Sequence, residues 1–115
     1  MTDETILRAA RAMIATPERW CKGARARNAD DKEVGVHSLS AQKYCLIGAL
    51  EFVVSSCCLY GGGPQTYRRL YDRIVLCAEG PMTLSSFNDA EHTTHADVIA
   101  LLDKAISYEG RPICR

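Results

Sequence analysis

Near the N-terminus, hydrophobic residues recur at three- and four-residue spacing. Ile6, Leu7, Ala10, Met13 and Ile14 share one face of a helix, with Arg8 and Arg11 opposite. Thr2 stands where an N-cap belongs, and Asp3 and Glu4 put negative charge in the first turn, where the helix dipole favours it. Pro17 ends this helix. The helical period then fades. Between Glu18 and Leu39 the chain reads as two short extended pieces, residues 20–25 and 33–37, joined by a turn at Asn28-Ala29-Asp30-Asp31. A small hairpin is expected here, and so short a hairpin needs helices to pack on.

A second helix is expected over residues 41–58, capped by Ser38 or Ser40. Tyr44, Cys45, Leu46, Ile47, Ala49, Leu50, Phe52, Val53, Val54 and Cys57 make it apolar on nearly every face, the pattern of a central helix surrounded by others. Gly48 in its middle costs about 1 kcal/mol relative to alanine, which suggests that another backbone approaches closely there. The run Gly61-Gly62-Gly63 breaks the chain, and Pro64 opens a third helix that Gly80-Pro81 closes. Its buried stripe is Tyr67, Leu70, Tyr71, Ile74, Cys77 and Ala78. The glycine run lacks the Gly-Lys-Ser/Thr ending of a phosphate loop, so it reads as a flexible turn. A polar connector carrying a Phe87-Asn88-Asp89 turn leads to a fourth helix. Thr94-His95-Ala96-Asp97 is its capping box, and Val98, Ile99, Leu102, Ala105 and Ile106 are its apolar face, with Gly110 and Pro112 beyond. The fold class that follows is mainly α: one compact four-helix domain over residues 1–115, with a small β-hairpin between the first two helices.

Composition narrows the function classes. Fourteen basic and fourteen acidic residues cancel, which argues against a nucleic-acid binder or a membrane-surface binder. No apolar run approaches the roughly 20 residues a membrane span needs. The six cysteines include no Cys-x-x-Cys pair, and Cys45, Cys57 and Cys77 fall in apolar helical patterns where a thiol acts as a small hydrophobe. With an acidic N-terminus that runs straight into an amphipathic helix, the expectation is a cytoplasmic protein with reduced thiols.

Four groups of residues, in this order, carry a resemblance. They are Trp20 with Gly23-Ala24-Arg25, the run Tyr44-Cys45-Leu46-Ile47-Gly48-Ala49-Leu50, Phe87-Asn88-Asp89, and Thr94-His95-Ala96-Asp97-Val98 through Leu101 to Ile106. The sequence resembles a small bacterial and phage family of unknown function that shows W-x-x-G-x-x-A, aromatic-C-x-x-G-A and aromatic-N-D motifs and a closing amphipathic helix. Tyr44 and Phe87 stand where that family more often has tryptophan. The resemblance implies a fold and a cellular origin, and brings no activity, substrate or cofactor.

Three constellations could carry chemistry. Asp89, His92 and His95 could ligate a metal, with His37 or Cys21 completing the set. The plainer alternative is that Asn88 and Asp89 are turn formers and the histidines are surface groups. Cys45 near the start of the central helix, with His37 or His95 as base and Asp89 as orienter, could form a Cys-His-Asp hydrolase site. The alternative there is a cysteine packed in the core. Trp20 beside Arg19, Lys22 and Arg25 could form an aromatic and basic recognition patch, to which Asn88 and Asp89 are added as binding candidates. The alternative is that Trp20 plugs the edge of the core. The functional expectation is therefore a non-enzymatic binding or accessory module of a bacterium, phage or mobile element. It would have no cofactor and no metal, and its partner would be a protein or a second copy of itself rather than nucleic acid or a membrane. A small Cys-dependent hydrolase or metal-dependent enzyme is the alternative.

Overall fold

A computed structural model describes residues 2–56, 64–78 and 83–108. The first helix, α1 (Asp3–Met13), begins as its sequence predicts: the Thr2 hydroxyl accepts from the Thr5 amide at 3.1 Å, and Ile6, Leu7 and Ala10 are buried. A 3-10 turn at Pro17–Arg19 follows. Three two-residue strands come next, β1 (Ala26–Arg27), β2 (Glu33–Val34) and β3 (Lys43–Tyr44), in the order β2-β1-β3 with both pairings antiparallel. A hairpin forms between the first two helices as expected, but β1 lies wholly outside the expected piece 20–25, β2 covers only the start of 33–37, and a third strand joins the sheet. The hairpin turn is set by Asn28, whose side-chain oxygen accepts from the Asp30 and Lys32 amides. Asp31 takes the left-handed conformation at φ 64°.

The second helix corrects the expected boundaries. Residues 41–45 are not helical: α2 runs Leu46–Ser56, and Lys43–Tyr44 is the third strand of the sheet. Neither Ser38 nor Ser40 caps it, since these two residues bond to each other within a turn. Helical periodicity could not separate Tyr44 from Leu46, because both are apolar; pairing with β1 decided the matter. Cys45 stands at the junction, its amide donating to the Arg25 carbonyl at 3.1 Å and its Sγ accepting from the Gly48 amide at 3.2 Å. The thiol thus satisfies one of the amides that a helix N-terminus leaves without a partner. Gly48 is explained by the same crossing. A Cβ there would overlap the Arg25 carbonyl oxygen and lie 2.9 Å from its carbon.

Among the described residues, α3 (Pro64–Cys77), a short α4 (Leu84–Asp89) and α5 (His95–Ser107) complete the chain. The helix α4 was not foreseen. Its six residues offer only Leu84 and Phe87 as apolar positions, too few for a period, and the Thr83 cap signals it only in retrospect. The α5 capping box forms with both reciprocal bonds, Asp97 amide to Thr94 hydroxyl and Thr94 amide to Asp97 carboxylate. Helix α2 lies at the centre, with Leu46, Leu50, Leu70, Ile74, Val98 and Leu102 among the fully buried side chains around it. Helix α1 packs on α2 and α5, and α3 on α5. Arg73 of α3 closes the end of α5 by donating to the Ala105, Ile106 and Tyr108 carbonyls. The expected breaks at Gly61–Gly63, Gly80-Pro81 and Gly110-Pro112, and Cys57, Cys58 and Cys114, lie outside the described residues. No described helix is long and apolar enough to cross a membrane.

Candidate functional site

One buried polar side chain ties the loops to the helices. Asn88, near the end of α4, is fully buried and uses its whole amide. Its Oδ1 accepts from the Trp20 indole N–H at 2.7 Å and from the Leu46 amide at 3.1 Å. Its Nδ2 donates to the Cys21 carbonyl at 3.1 Å and to Asp89 Oδ1 at 2.9 Å. Asp89 Oδ1 in turn accepts from the Gly23 amide at 3.0 Å. Gly23 sits at φ 79°, a conformation that a side chain would strain, so glycine is required where the loop turns toward α4. Four bonds to Asn88 therefore join the loop after the 3-10 turn, the start of α2 and the end of α4. A carboxylate could not reproduce them, because it has no donor.

Gly23 and Asp89 of this junction line a cleft of about 710 Å³. One wall is the loop Gly23-Ala24-Arg25 and the other is Glu33 to Val36; Cys45, Glu51, Ser85 and Asp89 line it from the helical side. Arg25 reaches Glu51, with Nη1 at 2.9 Å from Oε2. Of the three carboxylates in the cleft, Glu33 and Asp89 have no cation against them among the described residues. Among the described glycines, Gly35 is unlike Gly23 and Gly48. A Cβ there would meet nothing within 4 Å and its φ is not positive, so neither packing nor backbone geometry calls for glycine.

A profile of the Family of unknown function (DUF6197) matches residues 1–108. The chain belongs to this family. No curated protein and no solved structure matches it. In this DUF6197 member, some of the residues on which the sequence resemblance rests meet at the junction: Trp20, Gly23, Leu46, Asn88 and Asp89 are joined by hydrogen bonds, with Cys45 next in the chain before Leu46.

The structure separates most of the other candidates. Asn88 and Asp89 were expected in a turn that bonds amides of its own connector; they lie instead on α4 and bond amides and a carbonyl far along the chain. Cys45 shares the cleft with Asp89, but no histidine lines that cleft. His37 bonds the Ser55 hydroxyl at 2.8 Å and packs on Phe52. His95 bonds the Ile14 carbonyl at 2.7 Å, so its Nε2 carries the proton and closes the C-terminus of α1. Burial pushes the Cys45 thiol up, and the Asp89 carboxylate adds to that; the Gly48 and Ile47 amides oppose it without overcoming it. A thiol held protonated with no base beside it is not an activated nucleophile. His92 is exposed beside Asp97 and Lys104, in a different depression from His37, while Cys21 is buried. Among the described residues, no three His, Cys, Asp or Glu side chains stand where one ion could be held.

The basic patch is likewise divided. Trp20 is half-buried, its N–H spent on Asn88 and its ring 5.9 Å from that of His95. Lys22 lies over the Trp20 ring and donates to the Ala90 carbonyl at 2.7 Å. Arg25 faces the cleft, whereas Arg19 lines a separate depression with Met13, Glu18 and Tyr44. The cleft residues Glu33, Gly35, Glu51 and Ser85 were missed by sequence reasoning. Single acids, a serine and a glycine spread over fifty residues leave no local signal.

Proposed function

We propose that this DUF6197 chain is a non-enzymatic binding module of a bacterium, phage or mobile element, acting in the cytoplasm, and that its cleft holds a lysine- or arginine-bearing segment of a partner protein. The observation that carries this reading is the charge balance of the cleft: three carboxylates, Glu33, Glu51 and Asp89, against one arginine that is already paired. A cation entering there gains two unopposed carboxylates. The open space over Gly35 supports the same reading, since a glycine without a structural reason on a cleft wall suits close approach by another chain. The hydrolase alternative has less support. The Cys45 thiol is held protonated by burial, and neither His37 nor His95 reaches the cleft.

The test is a titration of short peptides, one set carrying lysine and arginine and a matched set carrying glutamate, against the full chain at low and high salt. The basic set should bind and weaken with salt. Glu33→Gln should lower affinity about fivefold, the scale of one interfacial charge near 1 kcal/mol. Gly35→Val should block binding without loss of thermal stability. Equal binding of both peptide sets, or unchanged affinity in both variants, would rule the reading out.

A further inference from the structure

A second depression, of about 390 Å³, adjoins the acidic cleft and shares two lining residues with it, Val36 and Glu51. His37, Val54, Ser55, Pro64 and Tyr67 complete its lining. Its chemistry is different. Two valines, a proline and an aromatic ring make most of its wall, and its polar groups already have partners. His37 bonds the Ser55 hydroxyl at 2.8 Å, that hydroxyl donates to the Glu51 carbonyl at 2.6 Å, and the Glu51 carboxylate pairs with Arg25. Burial pushes the Tyr67 hydroxyl up and the Glu51 carboxylate adds to the rise, so Tyr67 carries no charge at neutral pH.

The two depressions follow one another along two separate elements. On α2, Glu51 borders both, while Val54 and Ser55, three and four residues on and so on the same helix face, border the apolar one alone. Along residues 33–37, Glu33 to Val36 border the acidic cleft, and Val36 with His37 borders the apolar depression. Both elements lead from charge to apolar surface as residue number rises. The step on α2 is about 4.5–6 Å at 1.5 Å per residue. Two residues of extended chain advance about 7 Å and return the side chain to the same side, which matches that step. Gly35, beside the shared Val36, is exposed and carries no side chain to stand between the two.

We infer, resting on the reading of the cleft as a cation site, that the partner segment it takes is bipartite: a lysine or arginine enters the acidic cleft, and a leucine or aromatic side chain two residues away on the same extended stretch fills the apolar depression. Charge alone accepts any cationic surface. The apolar side chain supplies the discrimination, and its burial adds affinity that salt does not screen.

Four peptides of equal length, with serine at all other positions, test this by titration against the full chain. One carries lysine alone, one leucine alone, one both residues two apart, and one both residues five apart. The pair two apart should bind about tenfold tighter than lysine alone, the scale expected from burying one leucine side chain. Raised salt should weaken both by the same factor, and the pair five apart should match lysine alone. In Ser55→Phe, which places a ring in the apolar depression from an exposed helix position, the pair two apart and lysine alone should bind alike. A leucine gain that ignores spacing, a gain that survives Ser55→Phe, or no gain while lysine alone still binds would overturn the bipartite segment and leave the cation site standing. Failure of every lysine peptide to bind, or leucine alone binding as tightly as the pair, would remove both.

Discussion

Replacing Asn88 tests the junction that shares Gly23 and Asp89 with the cleft. In Asn88→Ala, the Trp20 indole N–H, the Leu46 amide and the Cys21 carbonyl all lose their partner. A buried polar group left unpaired costs about 1–3 kcal/mol, so three of them put the loss at about 3–5 kcal/mol once relaxation and entering water relieve part of it. That is a large share of the 5–15 kcal/mol typical of a domain. Asn88→Asp is the sharper variant because its shape is conserved. Its first oxygen keeps Trp20 and Leu46, while its second, now an acceptor, faces the Cys21 carbonyl and the Asp89 carboxylate. Burial and those two oxygens raise the pKa of the introduced carboxyl in the folded state above the unfolded value of about 3.9. Stability carried by its protonated, donating form is then complete below about pH 4 and is lost as pH rises through the folded-state pKa. The penalty relative to wild type should therefore be smallest in acid and grow toward neutrality. Urea unfolding followed by the fluorescence of Trp20, the single tryptophan, measures both variants from within the junction. A loss below about 0.5 kcal/mol for Asn88→Ala, the surface range, or a penalty for Asn88→Asp that does not change between pH 4 and 7, would refute the reasoning.

Gly48→Ala should destabilise by at least about 2 kcal/mol in denaturant titration despite the gain in helix propensity, because the Arg25 carbonyl it would strike is fixed by the Cys45 amide. Leu50→Ala, at a fully buried position, should cost about 2–5 kcal/mol, and a change typical of the surface would misplace the core. Arg69 holds the Asp3 carboxyl below the usual carboxylate range through its hydrogen bonds, against a smaller effect of burial. This contribution is present above the unfolded value near 3.9 and fades as pH falls through the lower folded one, so Arg69→Met should flatten the acid limb of a melting-temperature profile. The thermal midpoint of freshly purified protein should be the same with and without reductant, and a large loss on reduction would show a disulfide already in place.

Most of the helical frame was legible in the sequence because its signals are local. The Thr2 cap and the Ile6, Leu7 and Ala10 stripe give α1; Pro64 and the Leu70–Ile74 spacing give α3; the reciprocal Thr94–Asp97 box gives α5. Gly48 announced a close approach because a glycine inside an apolar helix needs a steric reason, although the partner, Arg25, lies 23 residues earlier in the chain. What the sequence could not yield was anything decided by a partner far along the chain. Tyr44 leaves the helix because it pairs with β1 and with Trp20, and no periodicity within residues 41–58 encodes that choice. Asn88 reads locally as a turn former, yet tertiary packing brings Trp20, Cys21 and Leu46 to its amide and makes it a buried hub. The cleft is also a product of folding. Glu33, Glu51 and Asp89 acquire a shared field only when β2, α2 and α4 are brought together, and His37 and His95 leave the list of catalytic candidates only because folding gives them Ser55 and the Ile14 carbonyl as partners instead.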